Sequence, residues 1–413
     1  VGFVVLGGNS ENFPINDFGS LEQGRVAGAA RELLSRLPEA GPPTLGIELE
    51  FFLRDRPTRA LCGLEQSQEF LLKLATNPDW EVFLRNKVSD KVVRVSRGFA
   101  NGRFHSVKYE HPPHMLEIAL AYESNLSAAY ESLHESLSDL FIAARAVDVE
   151  IDLSGCVEPP AICWETVGLV ESRFEQLSKS RRKILGSLKQ AVLDHSKDPR
   201  IDFTAFTAAT QYHIGGIQWW RQDPGFLDRL YRAEYLISGR AYQGSRGDFE
   251  ARWSSYRYVF GDMKLLGFPD SPAWSFDWWV QGLVDSPWIE GSQRTFGEKV
   301  PALSDEELLR VLPNVRDLQI VKPKWIGTLE YRSDPATSDV GLLIRNAALR
   351  FGAYLASLNA PEALVMVEPT FSELARSWWS GSHIDACPEE MARLEGICFE
   401  TLRARGLGEE KFL

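Results

Sequence analysis

The chain has 413 residues, 44% of them hydrophobic, a net charge of −12 and a pI near 5.3. That length allows one large domain or a few smaller ones, and the acidic balance argues against nucleic acid or an anionic membrane surface as the main partner. No apolar run reaches the roughly eighteen residues needed to cross a bilayer. The opening VGFVVLGGNS is short and lacks a basic start, so it does not read as a signal peptide. Cys62, Cys156, Cys163, Cys387 and Cys398 form no CxxC pair. They fit free thiols in a reducing compartment, so a cytoplasmic setting is expected.

In chain order, LEQGRVAGAARELLSRL (21–37) has helical spacing and PEAGPP ends it. TLGIELEFFL (44–53) alternates as a strand, with Leu45, Ile47, Leu49, Phe51 and Leu53 on one face and Glu48 and Glu50 on the other. Residues 64–84 are expected to be helical, with Phe70, Leu71, Leu74, Val82 and Phe83 as the apolar set. KVVRVS, FHSVKYE and HMLEIAL read as strands, RGFANGR and HPP as the turns between them. Residues 124–146 form the clearest amphipathic helix, and VEIDLSG follows as a short strand. A charged helix is expected over 172–195, and strand character returns at FTAATQYHIGG. Beyond Asp223 the chain is mostly helical and Trp-rich until GTLEYRSD supplies a last strand; helices over 338–358 and 387–405 close the molecule. Interleaved strands and helices, with neither repeats nor linkers, favour a single α+β domain over residues 1–413. Residues 1–43 form an N-terminal extension with its helix, and 360–413 a C-terminal helical segment.

Four strands share an unusual feature: polar or charged residues on one face and apolar residues on the other. Glu48 and Glu50 lie about 7 Å apart on one strand, where two negative charges repel by about 2.5 kcal/mol at an effective dielectric near 20. In KYEHPPHMLEIAL, Met115 and Glu117 face away from Leu116 and Ile118. Glu110 is seven residues earlier, and the interrupting prolines allow a turn that brings both carboxylates to one side. Gln211 and His213 share a face, as do Thr328, Glu330 and Arg332. An ordinary solvent-facing sheet surface explains one such strand. All four together offer carboxylates, an imidazole and an amide, a set suited to hard divalent cations and poorly suited to zinc. HPPH reads as a turn, His134 and His195 as structural, and the paired tryptophans mostly as core. The Walker, dinucleotide and hydrolase-elbow motifs are absent, and SRRK (180–183) matches SxxK without partners.

GIELEFFL, HMLEIAL, TQYHIGG and GTLEYRSD, in this order, resemble the signature blocks of the glutamate–cysteine ligase family, within the glutamine synthetase/guanidino kinase superfamily. The resemblance spans about residues 44–355. It implies a curved, mainly antiparallel sheet with helices on its convex side and Mg-ATP with an amino acid on the concave face. It implies metal-ligand roles for Glu48, Glu50, Glu117 and Glu330, and for Glu110, where some members have Asp. Gln211 stands where some branches carry a His ligand and others Gln. His213 falls at a substrate- or phosphate-contacting position, and Arg332 at the arginine that touches the transferring phosphoryl group. Arg257 and Lys322 fall near basic substrate- or phosphate-binding positions, an ordinary surface charge being the even alternative for each.

The implied reaction uses ATP with two or three Mg²⁺ ions, Mn²⁺ being able to substitute, to turn a carboxylate into an acyl phosphate that an amine attacks. Glutamate and cysteine are the first expectation, with another amine acceptor as the alternative. A guanidino-type phosphotransferase and a non-catalytic scaffold rank below both. The partners are small molecules, amino acid and amine, with oligomerisation left open. Glu330→Gln is expected to abolish turnover while leaving the melting temperature unchanged or higher, through relief of charge crowding.

Overall fold

The computed structural model describes residues 15–37, 39–100, 102–110, 113–155, 157, 208–223, 225–241, 321–364 and 388–408, with isolated positions at 280, 305, 306, 309 and 312. These residues form an α+β fold built on one open antiparallel sheet. Its axis is β1 (Thr44–Asp55), flanked by β5 (Met115–Ala119) on one side and β7 (Ala209–Gly215) on the other. Beyond β5 come β4 (Phe104–Tyr109), β3 (Val92–Gly98) and β2 (Glu81–Arg85); beyond β7 come β9 (Leu329–Pro335) and β8 (Val321–Pro323). The short β6 (Val149–Asp152) pairs with the far end of β1, opposite β5, because Phe52 is in register with both Met115 and Asp152.

The period-two pattern of β1 settles which face each side chain takes. Leu49 and Phe51 are buried beneath helices, and Phe51 meets Phe70 of α2 (Leu64–Leu74) edge to face at 6.4 Å. Gln68 of α2 donates to the Val92 carbonyl and to the Tyr109 hydroxyl on the same side. Next to α2 lies α3 (Leu126–Arg145), capped by Asn125, which accepts from the Ala128 N–H at 2.9 Å. Behind β7 and β9 pack α4 (Phe226–Ala241) and α5 (Val340–Asn359), and α6 (Pro388–Ala404) covers α5. Where β7 ends, Gly216 has φ +89°, and a Cβ there would stand 2.1 Å from the Pro42 carbonyl oxygen. Only glycine allows that crossing of two chain segments.

Most expected elements stand where the pattern put them, including α3, α5, α6 and the strands of the four polar faces. The first helix, α1, runs Ile15–Ser35, starting ahead of the expected residue 21. The expected helix over 64–84 is a correction: α2 ends at Leu74, and Glu81–Arg85 is an edge strand paired with β3. Pro78 disfavours a helical Asn77, and the Asn77 side chain accepts from the Asp79 N–H at 3.0 Å, a local turn that stops the helix. Val82 and Phe83 therefore belong to a strand, with Phe83 exposed. The expected helix over 172–195 lies outside the described residues.

One irregularity shapes the sheet near its last strands. Thr210 opposes Asp334 and Tyr212 opposes Tyr331, so two residues of β9, Arg332 and Ser333, stand against the single residue Gln211. This β-bulge turns Asp334 to the helix side. There Arg350 of α5, fully buried, reaches both oxygens of Asp334 at 2.6 and 2.9 Å and both oxygens of Glu234 on α4 at 2.7 and 2.8 Å. It also donates to the Ser333 hydroxyl at 3.1 Å and lies over the Tyr212 ring at 4.6 Å. Every residue of the bulge after Arg332 is thus fastened from behind.

Arg350→Met leaves two buried carboxylates without their cation and is expected to lower the unfolding free energy by about 3–5 kcal/mol. Urea titration checks this, and a loss below about 1 kcal/mol would contradict the network's role. A second test concerns His105, whose Nδ1 accepts the Ala121 N–H at 2.8 Å. Burial, with help from Arg97 and Arg103, lowers its pKa to about 4. The folded state then binds fewer protons than the unfolded one between about pH 6.5 and 4, so stability present above pH 6.5 is lost as pH falls through that window. The loss approaches about 3 kcal/mol. His105→Gln should flatten that segment of the stability-versus-pH curve.

Candidate active site

The acidic residues occupy the sheet face opposite the helices. The backbone register places them in a band: Lys108 against Glu117, Glu117 against Glu50, Glu48 against Gln211, His213 against Glu330 and Lys322 against Glu330. Six adjacent strands contribute, from β4 to β8. The band is not a solvent-washed surface: Glu50, Glu117, Gln211 and Glu330 are buried, with exposures of 6%, 2%, 4% and 2%. The polar side chains expected from four separate segments of sequence, three of them supplying carboxylates, are therefore gathered on one face, most of them withdrawn from water.

Two groups of donors stand out. Glu50, Glu110 and Glu117 each offer a carboxylate oxygen, all within 4.8 Å of one another. Glu110 reaches Glu117 despite their odd separation because its N–H bonds to the Met115 carbonyl at 3.1 Å, closing a turn. Glu50 accepts from the Ala209 N–H at 2.7 Å and from the Gln211 amide at 3.1 Å. Lys108 places its ammonium 2.9 Å from Glu117 and 3.8 Å from Glu110. Burial and then repulsion from Glu48 push the Glu117 carboxyl well above the usual range, against the pull of Lys108. Lys108 is in turn raised, chiefly by Glu117.

The second group is Glu48, His213 and Glu330, again within 4.8 Å. His213 Nε2 lies 3.2 Å from Glu48 and 3.9 Å from Glu330. Lys324 holds Glu330 at 2.9 Å and Arg332 stands 3.5 Å away. Burial works to raise the Glu330 carboxyl, but Arg332, Lys324, His213 and Lys322 together hold it well below its ordinary value. Burial opposes ionisation of Glu48 too, and His213 and Lys108 outweigh it. The two groups differ accordingly: Glu117 in the first is pushed toward its protonated form, whereas Glu48 and Glu330 in the second are held toward the ionised form.

The donor chemistry fits hard divalent cations. The first group is all carboxylate oxygen and the second is two carboxylates with one imidazole, sets that Mg²⁺ and Mn²⁺ accept. Glu117 is a buried carboxyl whose charge is opposed by two neighbouring acids, and a divalent cation would remove that opposition. His213, placed by the sequence resemblance at a substrate or phosphate contact, stands between two carboxylates as a third donor. Gln211 has its amide on Glu50. Arg257 lies outside the described residues. Lys108 and Lys324 were not singled out from the sequence. The signal was present for both: Lys108 alternates with Glu110 in FHSVKYE, and Lys324 shares the KPK stretch with Lys322.

Other expectations resolve simply. Cys62 and Cys398 are buried free thiols, and burial raises the Cys62 thiol to about 12. Trp219 is buried, as core packing requires. His114 is buried against Phe52 within the turn before β5. Among the described residues, no helix is long and apolar enough to cross a membrane.

No family model and no curated protein matches the chain. Among solved structures it is similar to a bifunctional glutathione synthetase from Pasteurella multocida, at 11% identity and a TM-score of 0.41. The match covers 95% of this chain and 48% of that one, so the chain spans about half the length of that protein. So low a TM-score carries no functional weight, and the chemistry is read from the chain's own residues.

The geometry revises one expectation. Glu330 is not merely crowded by acids but met by two cations, Lys324 at 2.9 Å and Arg332 at 3.5 Å. A carboxyl whose pKa is depressed on folding contributes stability above its unfolded value, near 4.3, and loses it as pH falls through the folded value. Glu330→Gln in chelator at pH 7 is therefore expected to lower stability by about 2 kcal/mol, rather than leave it unchanged or raised. Thermal and urea melts check the sign.

Proposed function

We propose that this chain is an ATP- and Mg²⁺-dependent ligase that joins an amino-acid carboxylate to an amine. The observation that carries this reading is the gathering of Glu48, Glu50, Glu110, Glu117, His213 and Glu330 into two buried donor groups on one sheet face, with Lys108, Lys324 and Arg332 beside them. Glu48, Glu50, Glu117, His213, Glu330 and Arg332 come from the segments whose sequence resembles the glutamate–cysteine ligase family, and Lys108, Glu110 and Lys324 lie just ahead of them. Glutamate, through its γ-carboxylate, is the acid and cysteine the first amine to test.

Glu50, Glu110 and Glu117 would hold one ion, and Glu48, His213 and Glu330 another, with Gln211 beside the first as the donor that orients Glu50. Such ions supply neutralisation of phosphate oxygens and orientation of the polyphosphate. Arg332 leaves the bulge on the same side as Glu330 and offers its guanidinium to the phosphoryl group in transfer. The substrate carboxylate attacks the γ-phosphorus and ADP leaves. The amine nitrogen then attacks the acyl carbon, inorganic phosphate departs with the carboxylate's former oxygen, and the proton lost by the nitrogen leaves on that phosphate as the amide forms. Gln211 and the Ala209 N–H keep Glu50 fixed throughout. The face is shielded behind by the helix layer, which keeps water from the strand side of the acyl phosphate.

The test is ADP release with glutamate and a panel of amines, with amide product followed by mass spectrometry. Turnover with cysteine and a γ-glutamyl product is expected. Turnover with a different amine and none with cysteine would move the assignment to another acceptor. Phosphorylation of a guanidine without amide formation, or no binding of Mg-ATP by calorimetry, would overturn the ligase reading. Arg332→Ala should reduce turnover by about 10²–10³-fold with bound nucleotide largely retained.

A further inference from the structure

Each donor group carries a lysine whose ammonium rests on one of its buried carboxylates. Lys108 comes from β4, one strand outside the Glu110–Glu117 turn, and puts Nζ 2.9 Å from Glu117 and 3.8 Å from Glu110. Lys324 follows β8, the strand outside β9, and puts Nζ 2.9 Å from Glu330. The two lysines sit at opposite ends of the band, and both side chains are partly exposed, at 37% and 30%, while their carboxylate partners are buried at 3% and 2%. A long flexible stem with a wet end and a buried partner suits a side chain that can leave its partner for another anion.

From this arrangement we propose that Lys108 and Lys324 are displaceable counter-cations: they hold the buried carboxylates when no metal is present, and pass to the nucleotide phosphates when metal takes the carboxylates. The inference rests on the ligase reading for its nucleotide and deepens it. An ammonium and a divalent ion cannot share the same carboxylate oxygens without strong mutual repulsion. Metal loading therefore expels each ammonium toward the open face, where the same ions bring polyphosphate oxygens. The lysines serve one electrostatic need in two states: neutralising acids when the site is empty and phosphates when it is loaded. A fixed structural lysine would instead keep its contact in both.

The experiment uses the full chain, Mn²⁺ as the metal probe and the non-hydrolysable analogue AMP-PNP as the nucleotide probe. Lys108→Met is expected to tighten Mn²⁺ binding about tenfold, because no ammonium has to be displaced. It is expected to weaken AMP-PNP binding in saturating Mn²⁺ by about tenfold as well. Thermal stability should fall in chelator and return to the wild-type value with saturating Mn²⁺. Lys324→Met should show the same opposed pair of shifts, and it keeps the test available if Lys108→Met does not fold without metal. Arg94→Gln removes an equal charge one strand beyond Lys108, in register with it. It should move either affinity less than twofold. Stability loss that persists in saturating Mn²⁺, or metal and nucleotide affinities that move together, overturns the inference. Equal shifts in Arg94→Gln also overturn it, by reducing the effect to general charge. If the wild-type chain binds neither Mn²⁺ nor AMP-PNP, the ligase reading itself fails, an outcome distinct from these.

Discussion

Like charges buried side by side are the constraint around which this sheet is organised. Glu50, Glu117 and Glu330 are nearly inaccessible to water, and Glu48 stands between them. Burying a carboxylate without a partner costs several kcal/mol, so every acid in the band is met by something positive or by a donor. Glu50 has a backbone N–H and an amide, Glu117 has Lys108, Glu330 has Lys324 and Arg332, and Glu48 has His213. Glu117 remains imperfectly compensated, and its raised pKa is the sign of it. A site that compensates its acids only in part retains affinity for a stronger cation.

The opposite side of the sheet gives this arrangement its rigidity. The bulge in β9 separates two neighbours in sequence, leaving Arg332 with Glu330 and sending Asp334 to the helices. Arg350 ties Asp334 and Ser333 to Glu234, and Asn346 and the Tyr212 hydroxyl also reach Asp334. Because Tyr212 lies between Gln211 and His213 in sequence, the same network fixes β7 as well as β9. The polar cluster behind the sheet thus sets the aim of the polar cluster in front of it, and the helix layer and the donor face are one mechanical unit.

Much of this was legible in the sequence, and for identifiable reasons. Period two in TLGIELEFFL and its three companions assigns faces without reference to any partner strand, so the acids were correctly grouped before the strand order was known. The turn that unites Glu110 with Glu117 was readable from the intervening prolines. What failed were features decided by neighbours. Val82 and Phe83 fit a helical stripe as well as a strand, and the turn at Asn77–Asp79 together with pairing to β3 decides between them. The bulge at Arg332–Ser333 exists because Asp334 finds Arg350, which lies sixteen residues onward and on another element. Lys108 and Lys324 look like ordinary surface charges until the register sets them beside buried carboxylates.

The two donor groups are not electrically independent, and Glu48 is the reason. Its charge raises Glu117 in one group, while it shares His213 with Glu330 in the other. Positive charge beside Glu48 would lessen the repulsion that Glu117 feels and ease its ionisation. The placement of Glu48 and Glu50 two residues apart on the central strand is therefore more than a way to supply two ligands. It gives each donor group one carboxylate from the same strand, so the charge state of one group is felt by the other.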